Sequence, residues 1–154
     1  MENNHNEKPA LILSPVSPGN WRKVIRVKVH EYQQDYVADP SYYLLLCHYG
    51  ELWQPLAIFV GEQVIGFIMW GIDPQDGSCW LGGFQIDAEW QGQGYGRQAM
   101  LQAMEILSVE QNTRHFALSV QPENPAKQFY ESLGFVETED WEEDEVVMRI
   151  LLEK

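Results

Sequence analysis

Gln91-Gly92-Gln93-Gly94-Tyr95-Gly96-Arg97 alternates three glycines with longer side chains between a strand-like and a helix-like stretch. Glycines let the main chain approach a guest closely. The first amides of a helix have no backbone acceptor, and the helix dipole adds partial positive charge there. A diphosphate suits that arrangement, and Arg97 can add a charge-assisted contact. The dinucleotide fingerprint G-x-G-x-x-G does not fit this alternation, and the Gly-Lys-Ser/Thr of the Walker motif is absent. By itself the turn also reads as a loop whose glycines serve only chain geometry.

The other side chains with chemical capacity are scattered. His30 and His48 have the intrinsic pKa of a base, but each stands alone in a helical stretch. Cys47 and Cys79 lack CxxC or Cys/His spacing and read as two reduced thiols packed in a core, so no metal site is expected. Tyr130 reads as a core aromatic whose hydroxyl finds a partner.

The elements that must position these residues follow from periodicity. Leu11–Leu13 predicts a short strand. Ser17-Pro18 offers an N-cap with proline at the first helical position, and Trp21, Val24, Ile25 and Lys28 then fall on one helix face. A second helix is expected within Tyr42–Tyr49, after the breaker Pro40. Leu56–Val60 and Val64–Trp70 flank Gly61-Glu62-Gln63 as a hairpin, and Asp73–Gly77 is a loop. Cys79–Ile86 is a strand interrupted by Gly82-Gly83, which suggests a bulge. Met100, Ala103, Met104 and Leu107 mark a helix behind the glycine turn. Phe116–Val120 is a strand, Pro125–Leu133 a helix with Gly134 as its C-cap, then come a short strand and a last one over Val146–Leu152. The order β-α-α-β-β-β-α-β-α-β-β predicts one α/β (α+β) domain with a mixed sheet and helices packed against it.

In combination these segments resemble the GNAT superfamily of N-acetyltransferases. Gln91–Gly96 matches its Q/R-x-x-G-x-G/A signature, and Asn124-Pro125-Ala126-Lys127-Gln128-Phe129-Tyr130-Glu131-Ser132-Leu133-Gly134-Phe135 looks like its second segment. Trp80–Asp87 sits where the family's cofactor-binding strand belongs. Within the superfamily the chain is most similar to spermidine/spermine and related diamine acetyltransferases, through Val64–Trp70, Trp80-Leu81 and Glu145–Met148. The likeness covers about residues 10 to 152. It implies a GNAT-type domain over residues 10–154, with a mostly antiparallel central sheet and about four helices, and a disordered tail over residues 1–9.

The resemblance also implies chemistry. Acetyl-CoA is the expected cofactor and a small-molecule amine, most favourably a polyamine or diamine, the expected acceptor. Phe84, Gln85 and Ile86 would meet the pantetheine arm. Gln91, Gly92, Gln93, Gly94, Tyr95, Gly96 and Arg97 would hold the diphosphate, and Asn124 would add a contact. The family asparagine usually falls seven residues before the tyrosine, where this chain has Glu123. A backbone N–H on the Phe84–Ile86 strand would stabilise developing oxyanion charge, and Tyr130 would act as general acid on the leaving thiolate.

Polyamine acetyltransferases tend to carry carboxylates on the cofactor strand, whereas Gly82 and Gly83 stand here. A base would then come from Glu31, Asp35 or Asp73, or the amine would deprotonate on desolvation. The acceptor side is expected to draw on Glu31, Asp35, Tyr36, Trp70 and Asp73. The cluster of Tyr32, Tyr36, Tyr42 and Tyr43 with acidic neighbours suits an alkyl polyamine, or is simply two helices packed on a core. Protein lysine, an N-terminus or an aminoglycoside is the rival acceptor, and a non-catalytic acyl-CoA-binding module the rival class.

Charge and composition narrow the classes. Net charge is −13, with no basic face for nucleic acid. Glu137–Glu145 carries seven carboxylates and reads as a solvated hairpin tip. No apolar run reaches the roughly 18–20 residues that span a bilayer. The polar start Met1–Lys8 lacks a signal-peptide pattern, so a cytoplasmic location is expected. A homodimer is a further expectation, since members of the superfamily often pair.

Overall fold

The computed structural model describes residues 9–153. Its elements are β1 (Leu11–Pro15), α1 (Trp21–Val24), α2 (Pro40–Tyr49), β2 (Gln54–Val60), β3 (Gln63–Ile72), β4 (Cys79–Ile86), α3 (Tyr95–Glu110), β5 (His115–Val120), α4 (Ala126–Ser132), β6 (Val136–Glu142) and β7 (Glu145–Leu151), with 3-10 turns at Glu31–Gln33 and Ala88–Trp90. The sheet order is β1-β2-β3-β4-β5-β7-β6. β4 and β5 run parallel, and every other neighbouring pair is antiparallel. This is the mixed, mostly antiparallel sheet with four helices that the sequence predicts. The expected tail lies outside the described residues, apart from Pro9.

Two apolar clusters hold the layers. On one face Met100, Met104 and Leu107 of α3 pack against Ile58, Ile65, Ile68, Leu81, Phe116 and Leu118. The helical stripe predicted behind the glycine turn is therefore the buried face of α3, and burying each such side chain contributes about 1.5–3 kcal/mol. On the other face Val24, Ala57, Phe67 and Met69 pack with Tyr43, Leu44 and Trp53.

The first helix departs from expectation. Ser17 does not cap a helix beginning at Pro18. Its N–H donates to Asn20 Oδ1 (2.9 Å) and its Oγ accepts from Gly19 N–H (3.2 Å), which closes a tight turn. Only one helical turn, Trp21–Val24, follows. Lys28 cannot continue it, because its N–H donates to Asp87 Oδ2 (3.1 Å) and its carbonyl accepts from Ala88 N–H (2.9 Å). α2 starts earlier than predicted. Pro40 sits at its first position rather than before it, and Asp39 caps it by accepting from Ser41 N–H at 2.9 Å.

The feature that positions the site is a divergence of two strands. β4 and β5 pair only at Cys79 with Phe116 and Trp80 with Ala117. On its other edge β4 matches Gly82 to Met69 but Gln85 to Phe67, one residue out of step. The extra residue is a bulge at Gly83, whose φ of +62° is a backbone state that favours glycine. A bulge bends its strand and strengthens the local twist, and β4 leaves β5 at this point.

Candidate active site

The divergence opens a cleft of about 850 Å³ that passes between the two faces of the sheet. Gly82–Ile86 of β4 form one wall and Leu118–Val120 of β5 the other. Phe129 and Tyr130 of α4, Tyr42 and Tyr43 of α2, and the glycine turn complete it. Phe84 stacks on Phe129 with ring centroids 6.2 Å apart, so the bulged strand and α4 meet through aromatic faces.

On one side the lining is main chain and cation. Gly92 and Gly94 have φ of +77° and +88°, and nothing lies within 4 Å of where a Cβ would stand, so the turn presents bare backbone to open space. No side chain caps α3. Arg97 is the one Lys or Arg lining the cleft among the described residues. Gln91 braces the turn: its Nε2 donates to Ile86 O and to Gln33 Oε1, both at 2.8 Å. The side chains of Gln93 and Tyr95 point elsewhere. Gln93 Nε2 reaches Glu89 O at 3.4 Å, and Tyr95 is buried beside Trp90. Asn124 lines the cleft but spends its Oδ1 on Ala126 N–H (2.9 Å), at the start of α4.

On the other side the lining is aromatic and acidic. Tyr36, Tyr42, Tyr43, Trp53 and Trp80 are joined by Glu142 and Glu145. Gly82 and Gly83 lie directly under these rings: a Cβ at Gly82 would stand 3.3 Å from Trp53, and one at Gly83 would stand 3.1 Å from Tyr43. Gln85 ties the bulge to the loop before α2 by donating to Ala38 O at 3.1 Å. Tyr43 accepts a hydrogen bond from Ala38 N–H at 3.0 Å. Burial raises its phenol above the ordinary value against that bond, and Glu145 adds to the rise.

Tyr130 sits where the two sides meet. Its ring packs on the larger cluster beside Phe129 and Phe135. Its hydroxyl has no hydrogen-bond partner among the described residues. Burial pushes its pKa well above the ordinary tyrosine range, and the nearby Tyr43 and Glu145 raise it further. A phenol in that state holds its proton at any physiological pH.

Residues 21–135 match the model of the acetyltransferase (GNAT) family. The chain belongs to that family. Over 133 residues it is 25% identical to the spermine/spermidine N(1)-acetyltransferase of Bacillus subtilis (strain 168), covering 80% of this chain and 86% of that protein. An acetyltransferase structure from Thermus thermophilus superposes with a TM-score of 0.74 at 21% identity, over 92% of this chain and 97% of that one. A Vibrio cholerae spermidine N-acetyltransferase in complex with CoA and spermine superposes with a TM-score of 0.72 at 22% identity, over 92% and 95%.

This GNAT enzyme is thus an acetyl-CoA-dependent N-acetyltransferase. Its cleft fits the cofactor on structural grounds. The bare glycine backbone at an uncapped helix start suits a diphosphate, and β4 past Trp80 lacks a strand partner on its β5 side, which suits an extended amide-bearing arm. Bound there, acetyl-CoA supplies an activated acyl group and a sulfur leaving group. Of the acceptor residues predicted from sequence, only Tyr36 lines the cleft. Glu31 and Asp35 are exposed outside it. Trp70 packs against the larger cluster. Asp73 shapes the loop after β3, where its Oδ1 accepts from Gln75 N–H at 2.9 Å. Tyr43, from the tyrosine cluster noted in the sequence, lines the cleft as well, and so do Trp53 and Glu145, which the sequence did not single out for it. Glu145 stands at the end of the acidic run read as solvated, yet it is half-buried and turned into the cleft.

Proposed function

We propose that this enzyme acetylates a primary amine of a small molecule, with a polyamine or diamine as the favoured acceptor. The observation that carries this reading is the unlike lining of one continuous cleft. Main-chain amides and Arg97 lie on the cofactor side, aromatic rings and the carboxylates of Glu142 and Glu145 on the other. An ammonium group on an alkyl chain gains cation–π and ion-pair contacts from the second lining and none from the first. The likeness to spermine and spermidine acetyltransferases supports the same acceptor class.

Phe84, Gln85 and Ile86 are the proposed contacts for the cofactor's arm, and Gly92–Arg97 those for its diphosphate. Tyr130 is the proposed general acid. Its raised pKa keeps a proton at the hydroxyl, and the absence of a protein acceptor leaves that proton available to the leaving sulfur. On the acceptor side the proposal moves from Glu31, Asp35, Trp70 and Asp73 to Tyr36, Tyr43 and Glu145. A panel of amines incubated with acetyl-CoA, read by free thiol release, tests the reading. Spermidine and short diamines are expected to turn over well. Release with a lysine peptide or an aminoglycoside but not with polyamines would refute the acceptor assignment.

A further inference from the structure

Gly82 and Gly83 remove the carboxylates expected on the cofactor strand, and Tyr43 and Trp53 fill the space above them. The cleft has another carboxylate in reach. Glu145 begins β7, beside β5, and its Oε1 accepts a 2.6 Å hydrogen bond from Ser119 Oγ. Ser119 alternates with Leu118 and Val120, which face the larger cluster, so its side chain lies on the opposite face, that of α1 and α2. No Lys or Arg pairs with Glu145 among the described residues. A half-buried carboxylate without a cation, fixed by one hydroxyl in an aromatic cleft, is poised for a cationic guest.

We infer that Glu145, held by Ser119, is the general base that takes the proton of the acceptor amine. The inference rests on the acetyltransfer reading above. The acceptor's ammonium gives one proton to the Glu145 carboxylate. The freed lone pair forms the nitrogen–carbon bond to the acyl carbon while the carbon–sulfur bond breaks and leaves its electron pair on sulfur. Tyr130 gives its proton to that sulfur, and the second proton of the nitrogen returns to the Tyr130 oxygen. The products are an amide, a free thiol and one proton on Glu145, which passes to solvent.

The charged and titratable groups around Glu145 are Tyr43 from α2, Tyr130 from α4, Glu142 across the β6–β7 hairpin, and Asp144 next in the chain, to which Gln121 donates at 3.3 Å. None is a cation, so no described protein group competes with a substrate ammonium for the carboxylate.

The test compares wild type, Glu145→Gln and Ser119→Ala with spermidine and acetyl-CoA. It reads kcat and KM, spermidine affinity by calorimetry, and the fold by circular dichroism. Glu145→Gln is expected to lower kcat about a hundredfold, with a smaller loss of spermidine affinity. Ser119→Ala is expected to lower kcat about tenfold with KM little changed, because the carboxylate loses the hydroxyl that fixes its direction. A Glu145→Gln enzyme with kcat within about threefold of wild type and only KM raised would make Glu145 an anchor and overturn the inference. So would a Ser119→Ala enzyme with kcat unchanged. A wild-type enzyme that releases thiol with no amine at all would instead bring down the acetyltransfer reading beneath it.

Discussion

Gln33 and Gln91, 58 residues apart in the chain, exchange two side-chain amide hydrogen bonds of 3.1 and 2.8 Å. The pair ties the glycine turn to the 3-10 turn at Glu31–Gln33, so the two linings of the cleft are braced against each other. His30 N–H also donates to Gln33 Oε1 at 3.0 Å, which fixes the glutamine from its own side.

Gln91→Ala is therefore expected to loosen the turn without unfolding the protein. One net hydrogen bond contributes about 0.5–1.5 kcal/mol, so affinity for CoA should fall by about twofold to tenfold. Calorimetric titration measures it, and an unchanged affinity would show that the brace does not shape the cofactor side.

Gly94→Glu should abolish CoA binding while the fold persists. The position has φ of +88°, which costs a non-glycine residue about 1 kcal/mol. A carboxylate at the start of α3 offsets part of that cost through the helix dipole, yet places negative charge where a diphosphate must sit. Undiminished affinity for CoA in a folded variant would refute the cradle.

Tyr130→Phe removes one oxygen and leaves the packing with Phe129 and Phe135. Turnover is expected to drop about a hundredfold, with CoA affinity kept. Full activity in the variant would take Tyr130 out of the chemistry.

Restoring a family-like carboxylate on the bulge should fail. Gly83→Glu meets both φ of +62° and the rings of Phe67 and Tyr43 at 3.1 Å. A loss of stability of at least about 1–2 kcal/mol is expected from the backbone alone, with no gain in turnover. Chemical denaturation and thiol release together read the outcome, and a stable, faster variant would contradict this account of why glycine stands there.

Stability should also fall in alkali. Burial raises Cys47 to about 11 and Cys79 to about 12, from an ordinary thiol near 9.0. Both folded values lie above the unfolded one, so this contribution is complete below pH 9.0 and is lost as pH rises toward 11 and 12. The unfolding temperature should decline more steeply above that point in wild type than in Cys79→Ala. Equal slopes would mean that the Cys79 thiol adds nothing.

Much of this architecture is legible where the signal is local. The α3 stripe, the β2–β3 hairpin and the glycine turn depend on residues close together in the chain, and each forms where the sequence places it. Gly82-Gly83 announces the bulge because paired glycines in a strand have few other uses. The first helix is misread because Ser17 and Pro18 satisfy a local rule that a distant tie overrides, namely Lys28 bound to Asp87 and Ala88. Glu145 is invisible for a similar reason. Six other carboxylates precede it in the run from Glu137, and nothing nearby distinguishes the one that β5 turns toward the cleft. Burial of a charge is decided by pairing across the sheet, which spacing along the chain does not reveal.

The most direct measurement is an electron-density map of crystals soaked with CoA and spermidine. The diphosphate should lie against the amides of Gly92–Arg97, the thiol near Tyr130, and an amine nitrogen between Tyr43 and Glu145. Density for CoA at another surface, or for spermidine outside the gap between β4 and β5, would contradict the account.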